Sequence, residues 1–244
     1  MRELVSYLQA HYSVHTLGEI TWSHAVNSRE KLQRFLQHPG TMMIETDIRL
    51  SRHGQIIAAH PPAIDSDLSF SDLLQEIAGT TKAIKLDFKD PEILIPSLTQ
   101  LREAGLHQPV MLNADILQGN RTGPPKFNAA GFLALCKMLY PQGLLSPGWT
   151  TRSGLEASYT DANIDEMLEL CRDIPQLTFP VRASLLPTSW KVLTRLIEPE
   201  GYSLTIWNAE PIDKDLQAWI HDNTDPTRTF YDFVDEKKEP VQFW

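Results

Sequence analysis

The sequence predicts an α/β fold: a (βα)8 barrel of TIM type with an extra β-hairpin after its second strand. Three observations predict it. Short alternating strand patterns recur along the chain, separated by runs of helical period, and eight of them follow one another outside the hairpin. The 244 residues match the ~250 that one such barrel needs. Charged residues crowd one face of several strands, toward their C-terminal halves, which is where barrel enzymes carry their chemistry.

Residues 1–18 read as an N-terminal arm, with Leu4, Val5 and Leu8 at helical spacing over the first twelve residues. Ile20–Val26 reads as the first strand, followed by a helix capped at Asn27-Ser28 and stopped at His38-Pro39-Gly40. Met42–Leu50 is the second strand. Arg52-His53-Gly54 turns it back into Gln55–His60, the hairpin arm. From there strand and helix alternate. Helices are predicted over Ser69–Ala78, Pro91–Ala104 (with Pro96 an awkward interior residue), Phe127–Tyr140, Ile164–Arg172, Pro187–Ile197 and Lys214–His221. Strands are predicted over Ala83–Phe88, Val110–Ile116, Leu144–Trp149, Leu177–Val181, Ser203–Trp207 and Thr229–Val234. No repeat or linker divides the chain, so residues 1–244 are read as one domain. The irregular stretches 118–126 and 148–162 are expected to shape the mouth of the barrel.

Composition narrows the function. A net charge of −9 argues against long nucleic acid or an anionic membrane surface as partner, although a local basic pocket remains compatible with a nucleotide end. Two isolated cysteines, Cys136 and Cys171, form neither a disulfide framework nor a zinc pattern. No apolar run approaches the ~18 residues of a membrane span. The first residues lack the apolar core of a signal peptide, so an intracellular, cytoplasmic protein is expected.

In Met43-Ile-Glu-Thr-Asp-Ile-Arg49, Ile44, Thr46 and Ile48 face one way and Glu45, Asp47 and Arg49 the other. The apolar faces must meet the helices, so the polar faces must line the barrel. That places His24, Glu45, Asp47, Lys85, Asp87, Lys89, Asn113, Asp115, Arg182 and Trp207 inside. Glu45, Asp47 and Asp87, expected at matching depth on adjacent strands, form an all-oxygen set suited to Mg²⁺ or Ca²⁺. His24 and His60 suit a general acid and a general base. Lys85, Lys89 and Arg182 could hold an anion beside the metal, Asn113 and Asp115 could bind substrate, and Trp207 could wall the site. A buried salt-bridge lattice without metal is the competing reading of the same charges. The remaining histidines are expected at the surface.

The run from Ile44 to His60, with E-x-D, a glycine turn and then a histidine, resembles the signature of the glycerophosphodiester phosphodiesterase and phospholipase-C-like barrel superfamily. His24 resembles its first-strand histidine, and Asp87 with Lys89 its E-x-K. The whole chain resembles the menorin family more closely, in His24–Ser28, Ala59–Pro62, Ile84–Lys89, Leu112–Leu117, Gly148–Thr151, Thr178–Ala183 and Leu204–Trp207. The resemblance implies the barrel and a superfamily-type metal site. Three departures separate the chain from the superfamily pattern: Ala25 stands where an arginine is usual, Pro61 where an aspartate is usual, and Asp87 where a glutamate is usual. A glycerophosphodiester substrate therefore does not follow.

The expectation is a divalent-metal-dependent phosphodiesterase-like hydrolase acting on a small phosphodiester, with His24 and His60 moving the protons. Two alternatives use the same barrel: a catalytically silent phospho-ligand-binding protein, and a phosphodiesterase of nucleotide or RNA ends.

Overall fold

The computed structural model describes residues 2–151, 158–208, 211–235 and 239–244. The strands are β1 (Trp22–Ser23), β2 (Met43–Leu50), β3 (Ile56–Ala58), β4 (Ala83–Phe88), β5 (Val110–Leu117), β6 (Leu144–Trp149), β7 (Leu177–Arg182), β8 (Tyr202–Trp207) and β9 (Thr229–Asp232). The helices are α1 (Arg2–His11), α2 (Arg29–Gln37), α3 (Phe70–Ala78), α4 (Leu94–Ala104), α5 (Ala129–Leu139), α6 (Asp161–Cys171), α7 (Leu186–Leu193) and α8 (Lys214–Asn223). Among the described residues, eight parallel strands run in the order β1-β2-β4-β5-β6-β7-β8-β9, and β3 pairs antiparallel with β2 as the expected hairpin.

The ring closes by side chains rather than by a ladder between β1 and β9. Trp22 meets Phe230 edge-on, with ring centroids 5.7 Å apart, and the Gly18 amide donates to the Pro226 carbonyl at 2.9 Å. At this end Trp22, Met43, Ala83, Met111 and Phe230 fill the barrel with apolar side chains, and Leu8, Val14 and Leu17 of the N-terminal arm, with Ile20 just after it, cover them. The bottom of the barrel is thus a closed plug, and polar side chains begin one layer above it. Outside the ring, Ile44, Ile48, Ile84, Leu86, Leu112 and Phe179 are buried in the core between strands and helices. Cys136 and Cys171 belong to that core and are free thiols, and burial pushes both up to about 12.

Five helices start where a short polar side chain accepts from the amide three residues on. Ser28, Ser69, Asn128, Thr160 and Asp213 accept from Lys31, Asp72, Gly131, Asn163 and Leu216, each cap worth about 1 kcal/mol. The caps at Asn128 and Thr160 move the starts of α5 and α6 away from the predicted Phe127 and Ile164. The predicted clash at Pro96 does not arise. A 3-10 turn over Pro91–Ile93 precedes α4, so Pro96 lies in the first turn of the α-helix, where an amide has no intrahelical partner. The first strand is shorter than predicted because Ala25 adopts a left-handed backbone, φ 53°, which turns the chain off the sheet. No helix among the described residues is long and apolar enough to cross a membrane. The predicted loop 148–162 lies partly outside the described residues.

Candidate active site

Register builds the site. Glu45 pairs with Lys85, and Asp47 with Asp87, on the parallel neighbours β2 and β4. On β5, Asn113 stands opposite Asp87 of β4. Across to β6, Asn113 stands level with Ser146 and Asp115 with Gly148. Asp47 and Asp87 therefore share a level and Glu45 lies one step deeper, which refines the expectation of matching depth. The pleat still brings the three together: one oxygen from each of Glu45, Asp47 and Asp87 lies within 4.8 Å of the others.

These residues open into a cavity of about 520 Å³ at the C-terminal ends of the strands. His24, His60, Lys85, Lys89, Asn113, Asp115 and Trp207 line it together with the three clustered carboxylates. Arg182 is the predicted residue that does not. Its β7 position pairs with Trp207, and its guanidinium lies 6.0 Å from the Trp207 ring centroid, outside the lining. It supports the wall instead of facing an anion. A larger cavity, about 610 Å³, opens among the loops before β5, β6 and β7 and contains none of the clustered carboxylates.

His24 is held by a residue that strand reading missed. Its Nδ1 stands 3.0 Å from both oxygens of Asp232, at the end of β9, and 3.6 Å from Glu45 Oε2. Asp232 is fully buried and also lies 3.5 Å from Lys85 Nζ. Burial alone would lower His24, but Asp232 and then Glu45 outweigh it and raise the imidazole to about 9. Burial would raise Asp232, but His24 and Lys85 hold it below the usual carboxylate range. The turn at Ala25 has a purpose here: its amide donates to Glu45 Oε2 at 2.7 Å, and its carbonyl accepts from Lys31 Nζ at 3.1 Å.

Asp47 is fixed from the other side. Asn27 Nδ2 donates to Asp47 Oδ2 at 2.6 Å, and Lys89 Nζ stands 3.0 Å from Asp47 Oδ1 and 2.6 Å from Asp87 Oδ2. Burial would raise Asp47, yet Lys89, Asn27 and His60 together lower it. At Glu45 the compensation falls short: burial, helped by Asp47, outweighs His24 and Lys85 and drives it up to about 7. Asp115 is likewise raised to about 7, by burial and then by Asp87. His60 sits exposed at the rim, its Nδ1 2.6 Å from the Pro61 carbonyl. Lys126, also unanticipated, reaches the cavity from the 118–126 loop, with Nζ 2.6 Å from Asp90 Oδ1.

The fit to a divalent cation rests on three features. The donors are all oxygen, hard cations bind oxygens at about 2.0–2.6 Å, and the spread of the three carboxylates allows one ion to touch each. Glu45, whose charge is held back by burial, is the ligand such an ion would relieve.

A family model, the Menorin N-terminal domain, matches residues 16–238. Human Protein FAM151B is 35% identical over 231 residues, which span 89% of this chain and 83% of that protein. Among solved structures, a Silicibacter pomeroyi protein provisionally described as a glycerophosphoryl diester phosphodiesterase superposes with a TM-score of 0.56 at 10% identity, covering 98% of this chain and 96% of its own. An endo-beta-1,4-mannanase of Cellulomonas fimi reaches 0.53 at 10% identity, covering 94% of this chain and 67% of its own. At such identities the likeness is one of fold, and the barrel accommodates more than one chemistry.

Proposed function

The chain belongs to the menorin family, and from that premise we propose that the mouth of its barrel is the active site of a divalent-metal-dependent, phosphodiesterase-like hydrolase acting on a small phosphodiester. The observation that carries this is the convergence of Glu45, Asp47 and Asp87 beside a histidine clamped by a buried aspartate. Mg²⁺ or Ca²⁺ on those three carboxylates would draw electron density from the phosphoryl oxygens.

The two histidines divide the proton work by their hydrogen bonds. His24 lies between the carboxylates of Asp232 and Glu45, which favour the imidazolium, and its Nε2–H is the proton to give to the leaving oxygen. His60 donates Nδ1–H to the Pro61 carbonyl, which leaves the Nε2 lone pair to take a proton from the attacking hydroxyl. As that oxygen bonds to phosphorus, the P–O bond to the leaving group breaks, and one proton enters at His60 while another leaves from His24. Lys89 and Lys126 supply positive charge beside the phosphoryl oxygens, and Lys85, buried against Asp232, keeps the clamp on His24 charged.

The test is turnover of a phosphodiester panel (glycerophosphodiesters, lysophospholipids, cyclic nucleotides and short oligonucleotides) with Mg²⁺, Ca²⁺ or chelator. His24→Ala and His60→Ala should each cut metal-dependent turnover at least ~100-fold. Turnover that both variants retain would sink the two-histidine mechanism. One observation favours a second reading, a silent site that binds a phosphorylated ligand. Lys89 bridges Asp47 and Asp87 and already supplies part of the countercharge an ion would bring. That reading expects phosphate-ester binding without turnover, and binding that chelator leaves intact.

A further inference from the structure

Around the mouth of the barrel the side chains are unevenly distributed. Asp47 and Asp87 fill one half. The other half holds Asp115, Gly148, Pro180 and Trp207. Gly148 lets its neighbours approach the backbone closely: a Cβ there would stand 2.9 Å from Pro180 Cγ and 3.0 Å from Asp115 Oδ1, so any larger residue would displace the Asp115 carboxylate. The β5–β6 register shifts just beyond, between Asp115 and Leu117, as a bulge does when it re-aims a side chain.

Asp115 lines the cavity but does not belong to the carboxylate cluster. Among the described residues it forms no hydrogen bond, and no cation lies within 4.0 Å of it. A carboxylate facing a cavity without a donor is an acceptor awaiting one. Trp207 lines the same cavity. Its ring carries the Arg182 guanidinium at 6.0 Å, on a residue outside the lining, so one face is engaged and the other is left to the cavity. A cation already on the ring weakens its attraction for a second one, which disfavours a quaternary ammonium group and suits a neutral ring. Thr150 and Thr151, also lining this half, add polar edges.

We propose that Asp115, seated against Gly148, and the free face of Trp207 form a subsite for a neutral, hydroxylated ring borne on the second ester group of the phosphodiester, with Asp115 accepting hydrogen bonds from the ring hydroxyls. This rests on the phosphodiesterase reading and adds the class of group that reading leaves open. A sugar, a cyclitol and the ribose of a nucleoside share that chemistry.

The test is direct binding to the full chain by calorimetry in Ca²⁺, which does not require turnover. The probes are methyl phosphodiesters of a hexose, of inositol, of a ribonucleoside, of unsubstituted cyclohexanol and of choline. At least one hydroxylated ring should bind about tenfold or more tightly than the cyclohexyl ester, and the ring that does so identifies the source. Asp115→Asn and Asp115→Ala should bring that preference within about threefold, while the cyclohexyl ester and Ca²⁺ bind as in the wild type. Equal affinity for cyclohexyl and hydroxylated esters, preference for choline, unchanged preference in the Asp115 variants, or no binding of any probe overturns the proposal. Weakened Ca²⁺ binding in both variants overturns it too, because Asp115 would then belong to the metal set. A preference that is bound but never hydrolysed overturns the enzymatic reading and leaves the subsite standing. Turnover without preference does the reverse.

Discussion

Replacing Asp232 with asparagine keeps the side chain's shape and removes its charge. The residue is fully buried, both its oxygens stand 3.0 Å from His24 Nδ1, and one stands 3.5 Å from Lys85 Nζ. In the wild type, burial works against the imidazolium, and Asp232 with Glu45 raises it from 6.5 to about 9. At ~1.4 kcal/mol per pH unit, that rise corresponds to about 3 kcal/mol, of which Asp232 supplies the larger share. A histidine raised on folding stabilises the fold in full below its unfolded value of about 6.5, and the contribution is lost as pH climbs through about 9. The loss of the Lys85 contact adds a cost that is constant over this range, because the lysine stays charged throughout. Asp232→Asn should therefore destabilise the protein most at about pH 6, and its deficit should shrink by up to about 3 kcal/mol by about pH 9 to 10. Urea unfolding at several pH values in chelator, with the His24 ring titrated by NMR, measures both quantities. A deficit that does not change with pH, or a His24 that still titrates near 9 in the variant, would refute the assignment of Asp232 as its clamp.

A saturating divalent cation should raise the melting temperature by roughly 5–10 °C at about one hundred times its dissociation constant. Glu45→Gln and Asp87→Asn should abolish that rise in a thermal-shift titration, and a rise that both variants keep would exclude the three-carboxylate site. Asp90 joins the hairpin, β4 and the mouth loop, accepting from the Leu50 amide at 3.0 Å and from Lys126 Nζ at 2.6 Å, with Arg49 Nε at 3.5 Å. Burial would raise its carboxyl, but these partners lower it, so its contribution is present above the ordinary carboxylate value and fades as acid takes pH through the lowered one. Asp90→Asn should cost about 1–2 kcal/mol at neutral pH and progressively less below about pH 4, as read by chemical unfolding. Cys136 and Cys171, fully buried and raised to about 12, should resist an aromatic disulfide reagent at about pH 8 until the protein unfolds, whereupon both react. Rapid labelling of either thiol in the native protein would contradict their placement.

Much of the barrel was legible because strands and helices have different periods. Ala83–Phe88 and Leu144–Trp149 form over the predicted residues, and the hairpin follows β2 as Arg52-His53-Gly54 implied. The misplaced boundaries have local causes. Thr160 starts α6 earlier than its first apolar residue because the cap, not the apolar stripe, sets the end of a helix. Ala25 ends β1 through a left-handed turn that the residue type disfavours, so no propensity could signal it. What compels the turn is a tertiary contact, the Ala25 amide on Glu45.

The site was legible where a strand shows polar residues on alternate positions, and hidden where it does not. Glu45, Asp47, Lys85, Asp87 and Asn113 follow from that rule. Asp232 obeys the same geometry, but its neighbour on the inner face is Phe230, part of the apolar plug, so β9 shows no polar face to read. A barrel interior that is apolar below and charged above cannot be recognised from a four-residue strand crossing both levels. Lys126 comes from a loop, where period carries no information, and its bonds to Asp90 and to the Lys89 carbonyl bring it to the mouth. Arg182 shows the converse: it falls on the predicted face, yet its neighbour Trp207 occupies the mouth and the guanidinium lies against the ring. Alternation therefore gives the direction of a side chain, and the bulk of its neighbours decides whether it reaches the cavity. The charge balance depends on that distinction. With Arg182 withdrawn and Asp232 added, the interior holds more carboxylates than the lysines facing them can neutralise, and burial leaves Glu45 and Asp115 the least ionised. An excess of buried negative charge is a standing cost, and a bound cation at Glu45 with a hydroxyl donor at Asp115 would relieve it at the two places where it is greatest.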